Sequence, residues 1–288
     1  MSTIYDHMLA AYDLTTAQRH RSAIYEVSQQ IILSGLSRGG FFDVAAFYGG
    51  TCLRMFHGLQ RFSEDMDFTL LAPDDTFDLT RYFQPLIDEF ALLGRKVEIR
   101  KKEKTALSSI HSAFLKDTTD VYDLTFRTDP SIKIKLEVDV RPPLDFPTEY
   151  RLLMQPRSFM TRCLTLPDLF AWKMHALVFR AWKTRVKGRD WYDMEWYVRR
   201  RIPLDFRHLR ARIRQSSGID MTYEQFRQAL DRRIRTADIA PRSSATPSPS
   251  SATPPSSTSG PPTTSCKSPT RSSSPRRERE ETRAKSEE

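Results

Sequence analysis

The clearest order in this 288-residue chain is a strict alternation: Ile132, Ile134, Leu136, Val138 and Val140 fall on one side, and Lys133, Lys135, Glu137 and Asp139 on the other. A period of two rich in β-branched residues predicts a strand over 132–140, ended by Arg141-Pro142-Pro143. Shorter runs over 67–71, 96–101 and 123–128 predict further strands. Elsewhere helical spacing governs. Ile24, Val27, Ile31 and Ile32 place a helix over 16–35, with Thr15 or Thr16 as its cap and Ser37-Arg38-Gly39-Gly40 as its end. Leu79, Phe83, Leu86, Ile87, Phe90 and Leu93 share one side of a second helix over 77–93, closed by Gly94. Residues 41–48 form a short apolar segment leading into Gly49-Gly50. After Thr165-Leu166-Pro167-Asp168 the strand signal fades, and 169–182, 190–200, 204–214 and 223–235 read as short helices.

This succession predicts an α/β (α+β) mixed sheet with flanking helices over residues 1–165, then a helical portion over 166–240. From Pro241 the pattern stops. The last 48 residues hold 9 of the 18 prolines and 21 Ser/Thr, with no Leu, Ile, Val, Met or aromatic residue. Such a segment has too little apolar surface to offset ordering entropy, so 241–288 is expected to be a disordered tail without chemistry of its own.

Charge sharpens the picture. The net charge is +9, and the tail, with eight Lys/Arg and five Asp/Glu, holds only +3 of it, leaving +6 on residues 1–240. A basic folded body favours polyanionic partners. Cys52, Cys163 and Cys266 are odd in number and lack metal-ligand spacing, which fits a reduced, cytoplasmic chain. No charged-then-apolar leader opens the chain, and no run nears the roughly 18 apolar residues of a membrane span. His57, His111, His175 and His208 show no metal or triad spacing and are read as structural.

The chemistry gathers around Gly49-Gly50-Thr51 and Ser63-Glu64-Asp65-Met66-Asp67-Phe68, with Asp65 fourteen residues after Thr51. On a strand, Asp65 and Asp67 point to one face while Met66 and Phe68 enter the core. Carboxylates held that close repel unless a cation sits between them. Mg²⁺ is the hard ion that one or two carboxylates plus substrate phosphates commonly hold. Upstream, Gly49 and Gly50 let backbone N–H groups approach an anion, and Thr51 stands at or near the start of a helix over 51–59, whose dipole favours phosphate. Glu137 and Asp139 also share a strand face, so pairing the two strands would add a third carboxylate, to bind a second ion or to take a proton.

Gly49-Gly50-Thr51-Cys52-Leu53-Arg54 followed by Arg61-Phe62-Ser63-Glu64-Asp65-Met66-Asp67-Phe68 resembles the AbiEii/AbiGii toxin family, a branch of the polymerase-β-like nucleotidyltransferases. Two later stretches carry the likeness on. Leu166, six residues, then Lys173 resembles one family motif, and Arg185, four residues, then Asp190, followed by Trp191-Tyr192-Asp193, resembles another. Over roughly residues 20–215 the resemblance implies a nucleotidyltransferase-like mixed sheet completed by helices. It implies an NTP substrate, a phosphate site at Gly49, Gly50, Thr51 and Ser63, and Mg²⁺, with room for a second ion, on Asp65, Asp67 and a third acid. The family pattern favours Glu137 over Asp139 as that acid. Lys173 is implied to neutralise the triphosphate and Asp190 to position groups or balance charge. Asp190 also suits a helix N-cap, and a lysine on the apolar helix of Leu169, Phe170, Ala171 and Trp172 must either act or snorkel to solvent.

The resemblance further implies a growth-inhibiting toxin with a separately encoded antitoxin, and an RNA acceptor, the 3′ end of tRNA, for the nucleoside monophosphate. Arg180, Lys183, Arg185, Lys187 and Arg189 with Trp182 and Trp191, extended by Arg199-Arg200-Arg201, Arg207, Arg210, Arg212 and Arg214, form a basic and aromatic stretch suited to RNA backbone. A small-molecule or protein acceptor, or a catalytically silent NTP- or RNA-binding protein, are the competing readings; the intact Asp65/Asp67 pair argues against silence.

Overall fold

Among the residues that the computed structural model describes (3–102, 119–129, 131–143, 146–179 and 188–237), seven strands join one mixed sheet. They are β1 (Ala45–Tyr48), β2 (Met66–Leu70), β3 (Val97–Lys101), β4 (Thr119–Phe126), β5 (Lys133–Asp139), β6 (Thr148–Leu153) and β7 (Phe159–Leu164). Their order is β3-β4-β5-β2-β1-β7-β6. β2 runs parallel to β5 and β1 parallel to β7, while the other neighbours are antiparallel.

The alternation of β5 survives in space. Ile134, Leu136 and Val138 are fully buried, and Met66 and Phe68 of β2 join the same core. That leaves Asp67, Lys135, Glu137 and Asp139 on the opposite face of the two central strands. Beneath the core runs α2 (Ala17–Arg38), started by Thr16, whose hydroxyl accepts from Arg19 N–H. Val27, Ile31, Ile32, Leu33 and Leu36 of α2 have no exposed surface. Its Gly35 is demanded by packing: a Cβ there would lie 2.9 Å from the Leu86 Cα of α4 (Phe83–Leu92).

Several boundaries differ from the pattern reading. The helix expected from Thr51 begins two residues earlier, as α3 (Gly49–His57). The long helix over 77–93 is broken because Asp78 caps a 3₁₀ turn, Leu79–Tyr82, before α4 starts. Within 41–48 only Ala45–Tyr48 is strand, after a 3₁₀ turn at Phe41–Asp43. Three elements are unanticipated: α1 (Ile4–Ala10), closed by a Thr3/Asp6 capping box, and the hairpin of β6 and β7. That hairpin carries Glu149, Arg151 and Arg162 among few β-branched residues, so its period-two signal is weak.

The helical portion consists of α5 (Leu166–Phe179), α6 (Gly188–Arg199), α7 (Phe206–Ser217) and α8 (Tyr223–Thr236). Among the described residues no helix is long and apolar enough to cross a membrane. The expected disordered tail, 241–288, lies outside the described residues.

Candidate active site

β1 passes directly into α3. Tyr48, the residue before the helix, is extended (φ −146°) and gives no side-chain cap to the first turn. The N–H groups of Gly49, Gly50 and Thr51 are therefore the uncapped, positive end of a nine-residue helix. Gly49 has φ +84°, a left-handed value that disfavours any Cβ. A Cβ at Gly49 would also overlap the Asp67 carboxylate, and one at Gly50 would lie 2.7 Å from Arg61 Nη2 and 2.9 Å from Ser63 Oγ. Both glycines are fixed by what lies against them. Gly49→Ala is accordingly expected to cost about 2–3 kcal/mol of stability and to reduce activity by about 100-fold, measurable by thermal melts alongside turnover.

The other half of the site is the loop entering β2. Thr51, fully buried, donates its hydroxyl to the Asp65 carbonyl, so this side chain tethers the acidic pair to the helix start. Gln29 of α2 secures the same loop, donating to the carbonyls of Ser63 (2.9 Å) and Glu64 (3.1 Å). Asp65 precedes β2 and Asp67 lies within it, both half-buried, while Met66 and Phe68 enter the core as the alternation requires.

In the parallel β2/β5 pair, Asp67 is in register with Glu137 and Thr69 with Asp139. Burial, then the charges of Glu137 and Asp65, push the Asp67 carboxyl up to about 7, against the opposing pull of Lys173 and Lys135. Lys135, two residues before Glu137 on the same face, pairs with it. Asp139 has a different fate. It is buried and ion-paired to Arg212 of α7 at 2.8 Å. The Arg212 guanidinium lies 3.8 Å over the Trp172 ring, and Trp172 packs on Tyr48 at 4.4 Å. Of the two carboxylates left open by the alternation, Glu137 adjoins Asp67 and Asp139 is engaged in holding α7 against the sheet.

Lys173 does not snorkel. Only 14 % of its side chain is exposed, and its ammonium contacts Asp190 Oδ1 at 3.0 Å and Asp193 Oδ2 at 2.8 Å. Asp190 lies in the first turn of α6, two residues inside its start, so it is not the cap that the sequence allowed. Asp193 is fully buried and also accepts both forks of Arg61, at 2.5 Å each. Sequence reasoning placed Arg61 and Asp193 within motifs but gave neither a role. Nothing local marks either residue, and no spacing rule joins positions 132 apart.

The basic stretch is partly dismantled by the fold. Arg212 is buried, Arg210 is paired with Asp220 and Arg199 with Glu195. Arg200, Arg201, Arg207 and Arg214 are exposed, as is Arg189. Arg180, Trp182, Lys183, Arg185, Lys187 and His111 lie outside the described residues.

Among the described residues no three His, Cys, Asp or Glu side chains form a preassembled metal cage. The donor chemistry of Asp65, Asp67 and Glu137 nevertheless suits a hard divalent ion of the Mg²⁺ kind, which takes one or two carboxylates and completes its shell with water and phosphate. Burial is the first cause of the raised Asp67 carboxyl, and the negative charges of Glu137 and Asp65 add to it.

Residues 31–254 match the family model described as "Nucleotidyl transferase AbiEii toxin, Type IV TA system". Solved structures that resemble the chain include the following two. One is MenT4, a nucleotidyltransferase toxin from Mycobacterium tuberculosis, with 20% identity, 71% of this chain and 67% of that chain covered, and a TM-score of 0.49. The other is JHP933 from Helicobacter pylori, with 18% identity, 76% and 91% covered, and a TM-score of 0.42. No curated protein matches the sequence.

Proposed function

The chain belongs to the AbiEii family of nucleotidyltransferase toxins of type IV toxin–antitoxin systems, and from that premise we propose that it transfers a nucleoside monophosphate from an NTP to the 3′-hydroxyl of an RNA, the 3′ end of tRNA in the first instance. Family membership carries with it an NTP substrate and an antitoxin partner. The acceptor, the metal and the residue roles are the proposal.

The observation that carries it is the convergence of Asp67, in register with Glu137, on the uncapped helix start at Gly49–Thr51. Backbone N–H groups of Gly49, Gly50 and Thr51, with Ser63 beside Gly50, would receive the phosphates. Lys173 would neutralise triphosphate charge, held by Asp190 and Asp193 so that its approach needs little reorganisation. Asp65 and Asp67, with Glu137 as third acid, would hold Mg²⁺, which when bound supplies positive charge for the phosphate oxygens. The acceptor oxygen forms a bond to the α-phosphorus as the bond to the β-phosphate oxygen breaks. Pyrophosphate leaves with that electron pair, and the hydroxyl proton passes to Glu137. Most of the rate enhancement would come from positioning and electrostatics.

An RNA acceptor is supported by the net +6 on residues 1–240 and by exposed Arg200, Arg201, Arg207 and Arg214 in the helical portion. The test is label transfer from each of four α-labelled NTPs, with Mg²⁺ and total RNA, by wild type and by an Asp65→Asn/Asp67→Asn variant. Label on an RNA band from wild type alone is the expected result, and the band names acceptor and nucleotide. Label on protein or on a small molecule instead would replace the acceptor. Absence of any Mg²⁺-dependent NTP binding would overturn the assignment of this site.

A further inference from the structure

We propose that Arg61 is a positioning residue that sets Lys173 on the triphosphate by way of Asp193, and that it couples the lysine to the glycine turn. The inference rests on the reading that Lys173 meets the triphosphate. Three contacts of one buried guanidinium carry it. Nε and Nη2 donate to Asp193 Oδ1 and Oδ2 at 2.5 Å each, and Nη1 donates to the Phe62 carbonyl at 3.0 Å. Nη2 also stands 2.7 Å from the place a Gly50 Cβ would occupy. The arginine thus touches the start of α3, the loop that carries Ser63 and Asp65, and the α6 residue that holds Lys173.

Asp193 is the shared element. Its Oδ2 accepts from Arg61 Nη2 at 2.5 Å and lies 2.8 Å from the Lys173 ammonium as an ion pair. Two cations at one oxygen share its charge, and the planar fork of arginine fixes the carboxylate in one orientation. The Lys173 ammonium donates one proton to Asp190 and pairs with the charge of Asp193, which leaves donor capacity for phosphate. Without Arg61, Asp193 is a fully buried carboxylate whose nearest remaining cation is Lys173. It would draw the ammonium into a tighter pair and out of its line on the triphosphate. The small residue at position 50 has the same origin: the guanidinium occupies the space a side chain would need.

The experiment is a double-mutant cycle on NTP and NMP binding by calorimetry, using full-length wild type, Arg61→Met, Lys173→Met and the double variant, with melts recorded for each. Arg61→Met should weaken NTP binding tenfold or more and NMP binding by less than twofold, because the lost contact concerns the outer phosphates. In the Lys173→Met background, adding Arg61→Met should change NTP affinity by less than twofold. Additive losses in the double variant, or equal weakening of NTP and NMP, would overturn the proposal and make Arg61 a structural ion pair. Should Arg61→Met fail to fold, Asp193→Asn, which keeps shape and weakens the hold on both cations, must give the same NTP-selective loss, and an unselective loss counts against it. If Lys173→Met itself binds NTP as wild type does, the assignment of the lysine falls and this inference with it. If Lys173→Met loses NTP and Arg61→Met does not, only the inference falls.

Discussion

Asp67→Asn is expected to abolish transfer while making the protein more stable at pH 8. The loss of activity should be about 10³-fold or more, the scale on which a preorganised charge at the reacting phosphate acts. The gain in stability follows from linkage. The Asp67 carboxyl is raised from 3.8 to about 7 by burial and by the neighbouring charges of Glu137 and Asp65. Because the folded state binds this proton more tightly than the unfolded chain, the wild-type fold loses stability as pH rises from about 4 to about 7 and no more above that. Asparagine has no proton to lose there. The two proteins should therefore melt alike near pH 4 apart from a constant offset, and diverge in favour of the variant up to pH 7, by roughly 1–3 kcal/mol. For a chain of this size that is several degrees in Tm. Mg²⁺ added at pH 8 should raise wild type toward the variant and leave the variant unmoved. A variant that melts below wild type by a growing margin as pH rises would refute the electrostatic account of this site.

The closeness of Asp65 and Asp67 was legible in the sequence because a two-residue spacing at the start of a strand needs no tertiary information. The same holds for Glu137: its alternation with Ile134, Leu136 and Val138 predicts its face, and only the parallel register of β2 and β5 remained to bring it beside Asp67. The different surroundings of Glu137 and Asp139 were not legible from spacing, since both share that face: Arg212 reaches Asp139 from a helix 73 residues away in sequence. Lys173 could be flagged as anomalous on an apolar helix, yet its partners Asp190 and Asp193 belong to the next helix. The same limit hid Arg61. The missed hairpin of β6 and β7 has another cause. As a sheet edge it carries polar residues on both faces, and β1 to β7 pairing, not local pattern, recruits it.

Arg54→Met should destabilise the fold by about 3–5 kcal/mol, the range found when one partner of a buried ion pair is removed. Arg54 and Glu26 are buried, with Nε and Nη2 of the arginine on the two carboxylate oxygens at 3.0 and 3.3 Å. Burial already pushes Glu26 upward and the arginine opposes it, so the variant's penalty should shrink as pH falls and Glu26 takes a proton. Replacing Glu26 as well, by Met, removes the stranded charge and should restore much of the stability. Activity should not return with it. Arg54 Nη1 also holds the carbonyls of Leu59 and Gln60 at 3.1 Å each, directly before Arg61, Ser63 and Asp65. An apolar pair repairs the core but cannot anchor that loop, and a loop displaced by even 1 Å would set Asp65 and Asp67 wrongly against the α3 turn. Melting curves and turnover on the single and double variants separate the two roles. Stability regained with activity still reduced about 10-fold or more would show that this ion pair aligns the acidic loop, whereas recovery of both would reduce it to a core contact.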